Sequence, residues 1–215
     1  MRLAHVDEGD GSTVVMIHGE PTWSFLYRKV MVPLLEAGCR CIAPDLPGFG
    51  RSDKPIEDSW YSYDNHTAAI VALFEELDLR DVTLVVQDWG GPIGLRVATT
   101  EVPERVSRLV VMDTGVFTGY QRMSEEWLRF REFVAGNPDV SVKRLVRSGC
   151  KNQPLPEVLA AYEAPFLGRE SKAGVRTFPM LIPLTPDAPG AEAGQAVAGA
   201  LARESRPTLL VWAGS

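Results

Sequence analysis

The chain has 215 residues, of which 45% are hydrophobic and 23% charged, a composition typical of one large folded domain or two small ones. This composition excludes a disulfide-stapled miniprotein and a disordered chain, and no apolar run approaches the ~18 residues of a membrane-spanning helix. The formal net charge of -6 predicts no nucleic-acid partner. Because Cys39, Cys41 and Cys150 cannot all pair internally, we expect a reducing, cytoplasmic location.

Short apolar strands alternate with helices through the first half of the chain. The pattern predicts strands at residues 14–17, 40–44, 83–87 and 106–112, and helices at 23–36, 63–77 and 90–100. Such alternation requires crossover connections between parallel strands. We therefore expect a protein of the α/β class, with a mostly parallel sheet and helices on both faces.

After Gly115 the apolar spacing becomes helical. It predicts helices at 124–135, 140–147, 155–162 and 194–202. The run from Pro207 to Trp212 again has the composition of a strand buried on both faces. The expected organisation is a main domain at 1–115, a helical insertion at 116–190, and a return to the main domain at 191–215.

Asp88 follows the third predicted strand and precedes Gly90 and Gly91, so it lies on a sharp strand-to-helix turn. The nucleophile-elbow pattern G-x-S-x-G has the same form, with Asp88 in the place of the serine and Val86 in the place of the first glycine. Ligands of open α/β sheets bind beyond the carboxyl ends of the strands. Asp88 is therefore a candidate nucleophile, and the alternative is an aspartate that only N-caps the next helix.

Four segments together resemble the haloalkane dehalogenases of the α/β-hydrolase superfamily. They are HGEPTWSFLYR (18–28), PDLPGFGRSDKP (44–55), VQDWGG (86–91) and YEAPF (162–166). The resemblance covers nearly the whole chain and implies an α/β-hydrolase fold with an inserted helical cap. It also implies a hydrolase that acts on small halogenated hydrocarbons with water and releases a halide ion, with no metal and no cofactor.

The resemblance assigns a role to several residues. Asp88, ionised at neutral pH if its pKa is near the ordinary ~3.9, would attack the carbon that bears the halogen and form an alkyl ester. The backbone N–H groups of Glu20 and Trp89 match the family's oxyanion hole, and the Glu20 side chain could orient water or brace its loop. The Trp89 indole would bind the halide. The family's second halide-binding tryptophan corresponds to Phe130, with Trp127 one turn earlier as a substitute or as cap core.

The chain departs from the family pattern in its histidines. In the α/β-hydrolase order an acid and then a histidine follow the nucleophile, whereas all three histidines of this chain precede Asp88. We expect His18 to support its loop. Asp113 is a possible alternative acid, or it caps the entry to the insertion. The chain is thus expected to be a fragment. Because a general base contributes ~10²–10⁴-fold, its absence is expected to leave the ester trapped. The strand that ends at Trp212 is expected to form an exposed sheet edge.

Two other functions stay open. An epoxide hydrolase has the same aspartate elbow but protonates the epoxide oxygen with cap tyrosines, for which Tyr120 and Tyr162 are available. Glu20 and Gln87 favour the dehalogenase over this alternative. The second alternative is a non-catalytic hydrolase fold that binds apolar molecules or nothing.

Overall fold

The computed structural model describes residues 1–213. Within this range six strands form one sheet in the order β1-β3-β2-β4-β5-β6, with β1 antiparallel to β3 and the other neighbours parallel. The strands are β1 (His5–Glu8), β2 (Ser12–Ile17), β3 (Cys39–Pro44), β4 (Val82–Gln87), β5 (Val106–Met112) and β6 (Thr208–Val211). The predicted mostly parallel sheet is confirmed.

Helices flank the sheet and fill the segment between β5 and β6. They are α1 (Arg28–Glu36), α2 (Tyr63–Glu76), α3 (Gly90–Arg96), α4 (Glu125–Gly136), α5 (Val142–Ser148), α6 (Pro156–Glu163), α7 (Ala173–Thr177) and α8 (Ala191–Leu201). In the described part of the chain, no helix is both long enough and apolar enough to cross a membrane.

The central strands are buried on both faces. Consecutive residues Val15, Met16 and Ile17 of β2 are fully shielded from solvent, and neighbouring residues of a strand point to opposite faces. Continuous apolar runs in parallel strands arise for this reason, because helices cover both sides of the sheet.

Two predicted helices differ from the observed ones. The segment predicted as helix 23–36 begins with a 3₁₀ turn, Ser24–Tyr27, because the backbone N–H of Ser24 is held by the Asp45 carboxylate at 2.8 Å. The segment predicted as helix 90–100 changes at Val97–Glu101 into a π-helical turn that ends before Pro103. Both differences arise where a distant residue or a following proline competes with regular helix geometry.

The prediction that the last strand is buried on both faces is wrong for β6. Leu209, Leu210 and Val211 are all exposed, and β6 pairs only with β5 within the described residues. The predicted exposed edge is present here. An apolar run indicates a capacity for burial, but burial also requires a covering element on each face.

The insertion between β5 and β6 forms the helical cap implied by the resemblance. A buried lysine, Lys172, ties its parts together through ion pairs with Asp139 (2.7 Å) and Glu163 (3.7 Å). The sequence did not predict α7, whose small apolar face is buried under Phe49 and Tyr61 at Gly174. The cap limits 116–190 stay a prediction, and residues 214–215 of the return segment lie outside the described residues.

Candidate active site

The turn between β4 and α3 has the geometry of a nucleophile elbow. Asp88 has a φ of 50°, a left-handed conformation that costs a non-glycine residue energy and marks functional turns. A Cβ on Gly90 would lie 2.1 Å from the Ile17 carbonyl oxygen, and one on Gly91 would lie 1.8 Å from Oγ1 of Thr114. The two glycines therefore let the turn pack closely against its neighbours.

The Asp88 side chain points into the site and does not cap the following helix. Its Oδ1 accepts a hydrogen bond from the backbone N–H of Glu20 at 2.7 Å, and the backbone N–H of Trp89 also donates to the carboxylate. The N-cap position of α3 is Trp89, with no side-chain capping bond. The interpretation of Asp88 as a simple N-cap is thus wrong.

Two carboxyl groups lie close together in this site, and burial affects both. Burial raises the pKa of Asp88 above its ordinary value, although the two backbone N–H groups lower it in part. Burial and the charge of Asp88 raise the pKa of Glu20 well above its ordinary value, and Glu20 Oε1 is buried without a hydrogen-bond partner. Two backbone N–H groups donate to the Asp88 carboxylate, whereas none of residues 1–213 donates to the Glu20 side chain, so the negative charge is favoured on Asp88 over Glu20.

Asp88 lies on the wall of a cavity of about 400 Å³ beneath the cap. The lining combines the strand ends with apolar cap residues: Glu20, Asp88, Trp89, Asp113, Thr114, Gly115, Phe117, Met123, Trp127, Phe130, Pro179, Ile182 and Trp212. Trp127 and Phe130, between which the sequence left the choice open, both line it. The sequence missed Phe117, Met123 and Ile182, which no local signal marks. A larger hollow of about 540 Å³ beside β6 contains neither Asp88 nor Glu20.

Trp89 is buried between aromatic rings at the floor of this cavity. Its ring centroid lies 5.1 Å from that of Phe178 and 5.6 Å from that of Phe117. Within residues 1–213 no side chain or carbonyl accepts a hydrogen bond from the Trp89 indole. Trp89 therefore packs as a core aromatic residue and also has an indole N–H that is available as a donor.

Asp113 has a different partner from the predicted one. Its φ is 31°, and its Oδ1 accepts a hydrogen bond from the Ala213 backbone N–H at 2.9 Å. Its carbonyl oxygen also accepts from the backbone N–H of Asp88 at 3.2 Å. The interpretation of Asp113 as a cap at the entry to the insertion is wrong, because the carboxylate binds the chain just after β6.

Within residues 1–213 no hydrogen bond joins Asp88 to any of the three histidine side chains. His18 is buried: its Nε2 accepts from the Leu46 N–H at 2.8 Å, so its Nδ1 donates to the Gly19 carbonyl oxygen. The prediction that His18 supports its loop is confirmed. His66 is buried among aromatic rings, and neither of its ring nitrogens has a partner. His5 lies on the edge strand β1.

The second matched segment builds the support of the site. The buried Asp45 carboxylate accepts from the Ser24 N–H at 2.8 Å and from the Arg51 N–H and Nε at 2.9 Å each. Hydrogen bonds to the anion outweigh burial and lower the pKa of Asp45. A Cβ on Gly50 would lie 2.4 Å from this carboxyl carbon. Asp45 thus joins the segment 44–55 to the loop that carries Glu20.

The tyrosines that an epoxide hydrolase would need lie outside the cavity. Tyr120 is 73% exposed. Tyr162 is buried, but its hydroxyl accepts from Nη1 of Arg28 at 3.3 Å and its ring packs on Phe25. Among residues 1–213, no group of three or more histidine, cysteine, aspartate or glutamate side chains could hold a metal ion.

The parallel sheet, the elbow and the cap define an α/β hydrolase, and a family model described as alpha/beta hydrolase fold matches residues 12–215. A haloalkane dehalogenase of Mycolicibacterium paratuberculosis is 44% identical over 99% of this chain and 71% of its own length. The tetrameric haloalkane dehalogenase DpaA of Paraglaciecola agarilytica NO2 is 37% identical, with a TM-score of 0.89 over 97% of this chain and 70% of that chain. A cis-3-alkyl-4-alkyloxetan-2-one decarboxylase of Shewanella oneidensis is 36% identical over 98% of this chain and 69% of its own length. The chain belongs to the haloalkane dehalogenase family.

Proposed function

We propose that this chain cleaves the carbon–halogen bond of a small haloalkane with Asp88 as the nucleophile. The observation that carries the proposal is the placement of the Asp88 carboxylate on the wall of an apolar cavity, held by the backbone N–H groups of Glu20 and Trp89. A fixed anion beside an apolar space suits attack on a saturated carbon, because neither water nor a neighbouring cation competes for the charge.

In the first step one oxygen of the Asp88 carboxylate donates a lone pair to the carbon. The carbon–halogen bond breaks, its electrons leave with the halide, and an alkyl ester of Asp88 remains. The apolar lining cannot solvate a halide, so an indole N–H is the group suited to receive it. Trp89 supplies that donor, and Trp127 is the candidate for a second one.

Glu20 assists by staying neutral. If its side chain were ionised, a second negative charge would face both the attacking carboxylate and the departing halide in a site of low polarity. Burial and the nearby Asp88 raise the pKa of Glu20, which favours its neutral form and so reduces that repulsion. Whether this carboxyl also orients water or only braces its loop is a separate question that the first step does not depend on.

In the second step water loses a proton to a base and attacks the ester carbonyl carbon, the acyl C–O bond breaks, and the alkoxide takes up a proton and leaves as the alcohol, which restores the Asp88 carboxylate. The oxyanion that forms would be stabilised by the Glu20 and Trp89 N–H groups that already bind the carboxylate. This attack needs a base, and among the described residues no histidine side chain forms a hydrogen bond with Asp88. The rate of this step depends on a general base, which contributes ~10²–10⁴-fold. Asp113 would act as an acid only beside a base.

The test is a burst experiment with 1-bromobutane. We expect the first equivalent of bromide to be released as a butyl ester forms on the peptide that contains Asp88, measured by mass spectrometry of the acid-quenched protein. Asp88→Asn should abolish both signals. The matched control is Asp10→Asn, an exposed position far from Asp88 in the sequence, which should retain both signals.

Two outcomes would contradict the proposal in different ways. Steady bromide release in ¹⁸O-labelled water with the label in butanol and none in Asp88 would exclude the ester. No bromide release and no butyl group would favour the non-catalytic alternative.

The epoxide alternative is disfavoured because Tyr120 and Tyr162 lie outside the cavity. The cytoplasmic location stays a prediction, supported by three free cysteines.

A further inference from the structure

The backbone of Asp88 is held from the end of the neighbouring strand β5. The paired register of β4 and β5 ends at Gln87 and Met112. The residue after each strand, Asp88 or Asp113, has a positive φ, 50° and 31° respectively, so both chains leave the sheet at equivalent positions. At this level the Asp88 N–H donates to the Asp113 carbonyl oxygen at 3.2 Å.

The side chain of Thr114 adds a shorter hydrogen bond to the same turn. Its hydroxyl donates to the Asp88 carbonyl oxygen at 2.5 Å, at the short end of the range for such bonds. The same carbonyl oxygen accepts from the Gly91 N–H at 2.9 Å. Thr114 thus binds the backbone of Asp88, whereas the N–H groups of Glu20 and Trp89 bind its carboxylate.

Packing fixes the orientation of the Thr114 side chain. A Cβ on Gly91 would lie 1.8 Å from Oγ1 and 2.6 Å from Cγ2 of Thr114, so both branches of the threonine lie against this glycine. A β-branched side chain is also stiff about χ1. Thr114 lines the Asp88 cavity, but its one hydroxyl proton is already given to the Asp88 carbonyl oxygen and is not free for a substrate.

The backbone conformation at Asp88 needs such support. A left-handed φ is unfavourable for a residue other than glycine and persists only where the surrounding contacts determine it. The direction in which the carboxylate points follows from this backbone conformation. Because a misplacement of about 1 Å can lower the rate of a reaction ~10²-fold, a contact that fixes the Asp88 backbone also affects its attack.

We propose that Thr114 is a positioning residue for the reaction of Asp88, and that its hydroxyl keeps the carboxylate aligned with the carbon that it attacks. The inference rests on the proposed function, since it takes Asp88 as the nucleophile. The hydroxyl acts on the backbone of the nucleophile and not on the substrate. Its loss therefore lowers the rate constant of ester formation and leaves the affinity for the haloalkane unchanged.

The test is a rapid-quench measurement of butyl-ester formation over a range of 1-bromobutane concentrations. Thr114→Val removes the hydroxyl and keeps the branched shape, so the rate constant at saturation should fall about tenfold, with the half-saturating concentration unchanged within error. Thr114→Ser keeps the hydroxyl and loses the methyl group, and it should retain most of the rate. The matched control is Thr99→Val, which removes a hydroxyl that donates to the Leu95 carbonyl oxygen at 2.7 Å, and it should behave as the wild type.

Amide hydrogen exchange measured by NMR supplies a second measurement that needs no turnover. In Thr114→Val the N–H groups of Asp88 and Gly91 should exchange about tenfold faster, because the turn opens more readily without the hydroxyl. Thr114→Ser should exchange at the rate of the wild type. The N–H groups of β2 should be unchanged in both variants, which shows that the fold is intact.

The order of the two variants decides between the hydroxyl and the packing of the methyl group. Equal slowing in both variants, or slower ester formation in Thr114→Ser than in Thr114→Val, would overturn the proposal. Unchanged ester formation or unchanged exchange in Thr114→Val would also overturn it, as would a raised half-saturating concentration at an unchanged rate constant. No ester in the wild type would instead refute the proposed function, and the role of Thr114 with it.

Discussion

His66 should make the folded state sensitive to mild acid. Its imidazole is fully shielded from solvent, its ring nitrogens have no partners, and its ring packs edge-on against Phe178 at 4.5 Å. Burial, with a smaller effect from His18, lowers the pKa of His66 to about 3. The unfolded chain takes up a proton below ~6.5, whereas the folded chain does not.

The sign and size of the effect follow from this difference. A histidine with a lowered folded pKa contributes its full stability above pH ~6.5 and loses it as the pH falls, at about 1.4 kcal/mol per pH unit until the folded pKa is reached. Between pH 6.5 and pH 4.5 the wild type should therefore lose about 2.3 kcal/mol from this residue alone. His66→Leu should not show this component, since leucine takes up no proton.

The assay is urea unfolding of the wild type and of His66→Leu at both pH values. Subtracting one curve from the other removes the contribution of the carboxylates, which both proteins share. We expect the stability difference to shift in favour of the variant by about 2.3 kcal/mol at the lower pH. A difference that is the same at pH 6.5 and pH 4.5, or an NMR titration of His66 with a midpoint near the ordinary value, would refute the reasoning.

Two further predictions concern the cap and the sheet edge. Lys172→Met should lower the free energy of unfolding by about 1–3 kcal/mol, less than for a fully buried pair because the Asp139 side chain is 62% exposed. The control is Lys29→Met at an exposed position, and an equally small effect of both variants in thermal melts would contradict this prediction. Leu210→Lys should reduce self-association in light scattering, because it places a charge on an apolar edge strand. Leu167→Lys, 93% exposed but off the sheet, should have no such effect, and equal effects would refute the role of the edge.

The elbow could be predicted from the sequence because its causes are local. A strand of apolar residues followed by Asp88 and two glycines specifies a turn in which only small residues fit, and the structure places Ile17 and Thr114 against those glycines. The alternation of strands and helices is equally local in origin. For this reason the order and type of the main elements agree with the prediction, apart from their ends.

The ends of the cap helices depend on contacts that are distant in sequence. Helix α5 was predicted from residue 140 but begins at Val142, where the Glu163 carboxylate accepts from the Lys143 N–H and from the Ser141 hydroxyl at 2.9 Å each. Glu163 thus does the work of an N-cap from the end of another helix. Local patterns carry no signal for such a partner.

The charges of Asp88 and Glu20 depend on burial, which the sequence does not show. From the sequence, Asp88 is an ordinary anion with a nearby glutamate of undefined role. In the folded chain the same burial disfavours both charges, and the two backbone N–H groups favour a charge on Asp88 over one on Glu20. The HGE loop therefore affects the charges of the site in two ways: the Glu20 amide donates to the Asp88 carboxylate, and the Glu20 carboxyl is the group whose ionisation burial and Asp88 together disfavour.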